Sequence, residues 1–148
     1  MNMSSIKCNI IDWRITAKCN SCCDYCYASD SLPEMSMDVA NKIIDSIIKS
    51  GCKAVCISGG EPLLNDNAVS IIRQLHNSGI SVYLSTNGIE YMKHRCELEK
   101  YISKLSLPLD GFDEDSNKIN GRKVSYNNKE ERISGFQSVI DILDYYEN

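Results

Sequence analysis

The feature that most restricts the fold is an alternation, repeated four times, between short β-branched runs and segments of helical hydrophobic period. Residues 9–16 read as a first strand, with Ile11, Trp13 and Ile15 on one face and Asp12, Arg14 and Thr16 on the other. Ser36 reads as an N-cap with Asp38 in the first turn. Val39, Ala40, Ile43, Ile44, Ile47 and Ile48 then recur at helical spacing as far as Gly51. Residues 53–58, 80–85 and 104–109 read as strands two to four, the second a nearly continuous apolar run of the kind parallel sheets need when both faces are covered. Between them lie a helix capped by Asn65 or Asp66, with Ala68, Val69, Ile72 and Leu75 as its stripe, and a weaker one over residues 91–101. Residues 113–128 are polar and read as a loop with a short helical turn. A last helix carries Ile133, Phe136, Ile140 and Leu143 on one face. The pattern predicts the α/β class, with right-handed βαβ crossovers building a parallel sheet of about four βα units.

In such sheets ligands bind beyond the carboxyl ends of the strands, and the chain's unusual residues fall there. After the first strand comes Cys19-Asn20-Ser21-Cys22-Cys23-Asp24-Tyr25-Cys26. Cys19, Cys23 and Cys26 form a C-x3-C-x2-C triplet, which lets three thiolates converge from one tight loop. Protein-held iron-sulfur clusters and structural zinc sites usually take four ligands, so a triplet leaves one position for a substrate or cofactor unless a distant cysteine closes it. Gly59-Gly60-Glu61-Pro62 follows the second strand, Ser85-Thr86-Asn87-Gly88 the third, and Asp110-Gly111 the fourth. Adjacent Gly59 and Gly60 leave the backbone open to close approach by a ligand.

The cysteine triplet followed by a strand ending in Gly-Gly-Glu-Pro resembles the radical S-adenosylmethionine (SAM) superfamily. The resemblance covers about residues 8–148 and implies a single radical SAM core domain over residues 1–148, folded as a partial, incomplete TIM-like barrel, since a closed eight-unit barrel takes ~250 residues. It implies that Cys19, Cys23 and Cys26 hold a 4Fe-4S cluster whose fourth iron takes the amino and carboxylate groups of SAM. One electron then cleaves SAM to a 5'-deoxyadenosyl radical that abstracts hydrogen from a substrate. By the same resemblance the backbone around Tyr25 touches the adenine, and Gly59, Gly60, Glu61 and Pro62 form the seat for the methionine part, with Glu61 either accepting from its ammonium or holding the loop. Ser85 and Asn87 are candidates for polar contacts to SAM. Family members often carry serine where Pro108 stands; Ser106 and Asp110 share its strand and one face, so either can substitute. The segment Phe112-Asp113-Glu114 with Asn117 and Gly121-Arg122 is similar to that of viperin-like members, which act on nucleotides, while peptide and cofactor maturases carry a related Leu-Asp-Gly pattern. An unidentified substrate and a one-electron donor such as flavodoxin or ferredoxin are the implied partners.

Composition narrows the setting. At 148 residues and 43% hydrophobic content the chain suits one domain with a real core. A net charge of -4 with scattered Lys and Arg gives no nucleic-acid footprint. Eight cysteines evoke disulfides, but Cys8, Cys22, Cys52, Cys56 and Cys96 stand outside the triplet, mostly in apolar or periodic segments, and read as reduced thiols. With no secretory pattern at residues 1–9 and no apolar run near the ~20 residues that span a bilayer, the expectation is a cytoplasmic protein without membrane contact. An uncovered fourth strand predicts either self-association through the open sheet edge or marginal stability, with Pro108 partly blunting that edge. The competing reading is a non-catalytic zinc- or iron-sulfur-binding module, with zinc closed by Cys22 or a distant cysteine.

Overall fold

The computed structural model describes residues 8–27, 33–124 and 134–147. Four strands, β1 (Ile10–Arg14), β2 (Ala54–Ser58), β3 (Ser81–Ser85) and β4 (Ile102–Ser106), pair in sequence order and all in parallel. Parallel neighbours need crossovers. These are supplied by α1 (Met37–Ser50), α2 (Ala68–Asn77) and α3 (Tyr91–Leu98). A short helix α4 (Glu114–Ile119) and a final helix α5 (Gly135–Glu147) follow β4.

Hydrophobic period decides what each element buries. Trp13 pairs in register with Ile57, Val55 with Val82 and Ile57 with Leu84, forming one apolar face. Against it lie Ala40, Ile44 and Ile47 of α1, Ile71, Ile72 and Leu75 of α2, and Tyr91 and Leu98 of α3. The opposite face is different. There Asp12, Cys56, Tyr83 and Lys104 align across the four strands, and none of them is buried. The apolar run of β2 therefore does not signal helices on both faces, as the sequence predicts; the second face stays polar and partly open, and Cys56 and Ser58 are only half-buried there.

Several boundaries differ from expectation for local reasons. Ser36 caps α1 as predicted, accepting from the Val39 N–H, and Gly51 closes it at φ 74°. Asn65 does not cap α2; its amide donates to the Ile15 carbonyl at 3.0 Å, tying the segment after β2 to the end of β1, and Asn67 takes the cap position. β4 begins two residues earlier than the expected 104–109 and ends at Ser106, because a bulge shifts its register beside Tyr83 and Pro108 has no N–H to donate. Residues 113–128 contain a true helix, α4, whose capping box joins the Asp113 side chain to the Ser116 N–H at 2.7 Å. Residues 125–128, and Ile133 of the expected last stripe, lie outside the described residues. α5 buries Gly135, Val139 and Ile142, a face rotated from the predicted one; Leu143 is exposed. Among the described residues no helix is long and apolar enough to cross a membrane.

Candidate functional site

The loops after all four strands meet over one cavity of about 240 Å³. Its walls are Cys19, Cys23 and Cys26 with Tyr25 from the loop after β1, Gly59 and Gly60 after β2, Thr86 and Asn87 after β3, and Leu107 and Pro108 after β4. Ser58, Ser85 and Ser106, the last residues of three successive strands, line it too, the Ser58 hydroxyl donating to Asp12, and Arg122 reaches in from beyond α4.

The pairing of β1 with β2 runs on into these loops. Ile15 N–H donates to Ser58 O, Gly60 N–H to Thr16 O at 2.9 Å, and Glu61 N–H to Lys18 O at 2.7 Å. This approach explains the glycine pair. A Cβ on Gly59 would sit 2.5 Å from Thr16 O, and one on Gly60 would sit 2.2 Å from Lys18 O and 2.7 Å from Ala17 O. The side left bare by the missing side chains faces the protein's own backbone, not the cavity as the sequence suggests. Glycine here lets the cysteine loop lie flush on the β2 loop, and the peptide groups of both residues still line the void.

Glu61 is fully buried and its side chain does not line the cavity. Its carboxylate accepts from the Leu63 N–H at 3.0 Å, the Thr86 hydroxyl at 2.7 Å and the Asn87 N–H at 2.7 Å. These bonds hold the loops after β2 and β3 together; burial nonetheless pushes its pKa up from the ordinary carboxylate value against those three donors. Pro62 is buried as well and opens a short 3-10 turn. Asn87 turns its amide toward the cysteine loop, donating to Asn20 Oδ1 at 2.7 Å and Ser21 Oγ at 3.1 Å.

Asp110 stands behind the cavity wall and not in it. It accepts from the Tyr25 hydroxyl and from Arg122 Nε at 2.6 Å, and these bonds, the Tyr25 one foremost, hold its pKa below the usual carboxylate range. Of Ser106 and Asp110, only Ser106 lines the cavity. Cys22 is exposed and does not line the cavity.

None of the eight cysteines is joined in a disulfide. Among the described residues no three His, Cys, Asp or Glu side chains stand at metal-holding distance as placed. What fits a cluster is the donor chemistry: three soft thiols on one loop face the same void, and no fourth thiol lines it. Burial raises the pKa of Cys19 above the ordinary thiol value. Sequence reasoning missed Ser58 and Thr86 as parts of the site and saw Arg122 only through resemblance; serine closing three consecutive strands was the available signal.

Fold and cavity together define a βα half-barrel carrying a three-thiol site at the carboxyl ends of its strands. A family model described as the radical SAM superfamily matches residues 13–144, and the chain belongs to that superfamily, whose members use SAM and a 4Fe-4S cluster. It is 28% identical over 151 residues to an S-adenosylmethionine-dependent nucleotide dehydratase of Fibrobacter sp. (strain UWH6), covering 91% of this chain and 45% of the relative. It is 41% identical over 96 residues to a probable GTP 3',8-cyclase of Methanococcus maripaludis, covering 62% of this chain and 30% of that one. Streptococcus suis SuiB bound to S-adenosylmethionine shares the fold, with a TM-score of 0.65 at 16% identity over 93% of this chain and 37% of SuiB. The chain thus spans less than half the length of these curated relatives.

Proposed function

We propose that this chain is the cofactor-binding core of a radical SAM enzyme acting on a nucleotide. The observation that carries the reading is the meeting of Cys19, Cys23 and Cys26 with Gly59 and Gly60 on one cavity. Cys19, Cys23 and Cys26 would hold a 4Fe-4S cluster. The peptide groups of Gly59 and Gly60, the hydroxyls of Ser85 and Ser106, and Asn87 would hold SAM, with the backbone at Tyr25 beside its adenine. When bound, cluster and SAM supply a one-electron cleavage that yields a 5'-deoxyadenosyl radical able to abstract hydrogen. The chain's own part is positional. Glu61 clamps two of the loops, Asn87 fixes the cysteine loop against β3, and the sheet's polar face offers a surface beneath the cavity.

That face supports the nucleotide. Arg14 and Lys104 stand on it at its two outer strands, and Lys104 lies 5.2 Å over the Tyr83 ring, a cation and an aromatic suited to phosphate and base. The two relatives named above act, by their names, on nucleotides. Reduction would come from a donor such as flavodoxin or ferredoxin.

Anaerobic reconstitution tests the reading. The expected results are a SAM-induced change in the reduced cluster's EPR spectrum and 5'-deoxyadenosine formed with dithionite, in a yield that rises when nucleoside triphosphates are added. Tightly held zinc with neither signal would establish the non-catalytic metal module instead, and stimulation by peptides alone would overturn the nucleotide.

A further inference from the structure

We propose that Arg122, carried on a strap formed by residues 121–124, tunes the redox behaviour of the cysteine site; this rests on the cluster-binding reading above. The strap is built onto the cysteine loop by backbone bonds. Cys22 N–H donates to Lys123 O and Asp24 N–H to Gly121 O, both at 2.8 Å, and Ser21 bridges to Val124 in antiparallel fashion. Gly121, at φ 94°, brings the strap against the Tyr25 ring, where an added Cβ would stand 3.2 Å from Cδ1. The strap's start is itself fixed, because the Arg122 N–H donates to Asn117 O, and the buried Asn117 side chain accepts from the Asp110 N–H at 2.9 Å.

The result is a guanidinium held in one place. Arg122 Nε donates to Asp110 Oδ2 at 2.6 Å, its Cζ lies 5.6 Å from the Tyr25 ring centroid, and its terminal nitrogen reaches Cys23 Sγ at 3.9 Å, the outer range for a sulfur acceptor. Asp110 occupies the other side of the guanidinium, so the pair presents its positive end to the cysteine. Its side chain is only 17% exposed, so water screens this charge weakly. Charge, hydrogen bonds to the ligand sulfurs and exposure set iron-sulfur potentials. Reduction adds one negative charge to thiolate-bound iron, and a fixed cation beside a ligand sulfur favours that added charge. Arg122 therefore makes reduction easier, while Asp110 partly offsets it.

This predicts opposite effects from the two halves of one ion pair, which a merely structural role does not. The test is a mediated dithionite titration of the reconstituted chain without SAM, followed by EPR, on wild type, R122Q, R122K and D110N. In R122Q the reduced-to-oxidised ratio at a fixed potential should fall about tenfold, ~59 mV for one electron. D110N should shift the other way, and R122K should stay near wild type. R122Q and D110N moving in the same direction, or neither moving, overturns the inference. Should R122Q fail to retain iron, D110N decides alone, and a null or negative shift overturns it. A wild-type chain that takes up no cluster refutes the underlying reading; a SAM-responsive cluster with unmoved potentials refutes only the role of Arg122.

Discussion

Replacing Gly60 with alanine tests the packing on which the site stands. The new Cβ would lie 2.2 Å from Lys18 O and 2.7 Å from Ala17 O, against the 3.0 Å that real contacts respect, and both obstacles are backbone. No side chain can swing away, so the two loops must part by about 1 Å. Overpacking of that kind costs ~1–3 kcal/mol. Parting also strains the Gly60 N–H to Thr16 O and Glu61 N–H to Lys18 O bonds, each contributing about 0.5–1.5 kcal/mol. Together these place the cost at about 3 kcal/mol, or a melting-temperature drop of roughly 6–12 °C for a chain of this size. Gly79→Ala supplies the comparison: at φ 78° with nothing within 4 Å, it pays only the left-handed conformation, about 1–2 kcal/mol. Thermal unfolding of the reconstituted chains under anaerobic conditions, with bound iron counted, measures both. If Gly60→Ala melts no lower than Gly79→Ala and binds the same iron, the close approach of the loops does not matter as argued.

Two further outcomes follow from the same geometry. Glu61→Gln places an amide donor against the Asn87 N–H or the pair at Leu63 and Thr86, and should destabilise the fold by about 1–3 kcal/mol in urea unfolding. Because the folded-state pKa of Glu61 is raised, chiefly by burial, its proton-linked stability is full below the unfolded value of about 4.3 and declines as pH rises through the folded one. The gap between wild type and Glu61→Gln should therefore narrow from acid toward neutral pH; a gap that widens contradicts the assignment. Cys23→Ala should abolish cluster assembly by iron and sulfide analysis, whereas Cys22→Ala, whose side chain is exposed and outside the cavity, should leave most of it, and equal losses would point to a different ligand set.

How much could be read in advance follows from the range of the forces involved. Strand alternation in residues 10–14 and the α1 stripe are local patterns, so Trp13, Ala40, Ile44 and Ile47 are buried as their spacing predicts. The cysteine triplet and the Gly-Gly pair were legible for the same reason. What escaped depends on partners distant in sequence. Glu61 looks like a ligand contact until Thr86 and Asn87 are seen to claim its oxygens, and the glycines look like room for a cofactor until Thr16 and Lys18 are found against them. The face of α5 was misjudged because Gly88 and Tyr91, not its own periodicity alone, select Val139, Ile142 and Tyr146 as contacts. Arg122 is marked in the sequence only by resemblance; its physical setting comes from Asp110 and Cys23.

The strap has a consequence for biogenesis. All three thiols leave the ribosome within eight residues of one another, yet Asp24 meets Lys123, 99 positions later. At ordinary synthesis rates of ~5–20 residues per second that interval lasts about 5–20 s. During it the nascent chain carries every sulfur but not the scaffold that sets their conformation. A product truncated within α3 would therefore display the cysteine motif without the strap that packs on it.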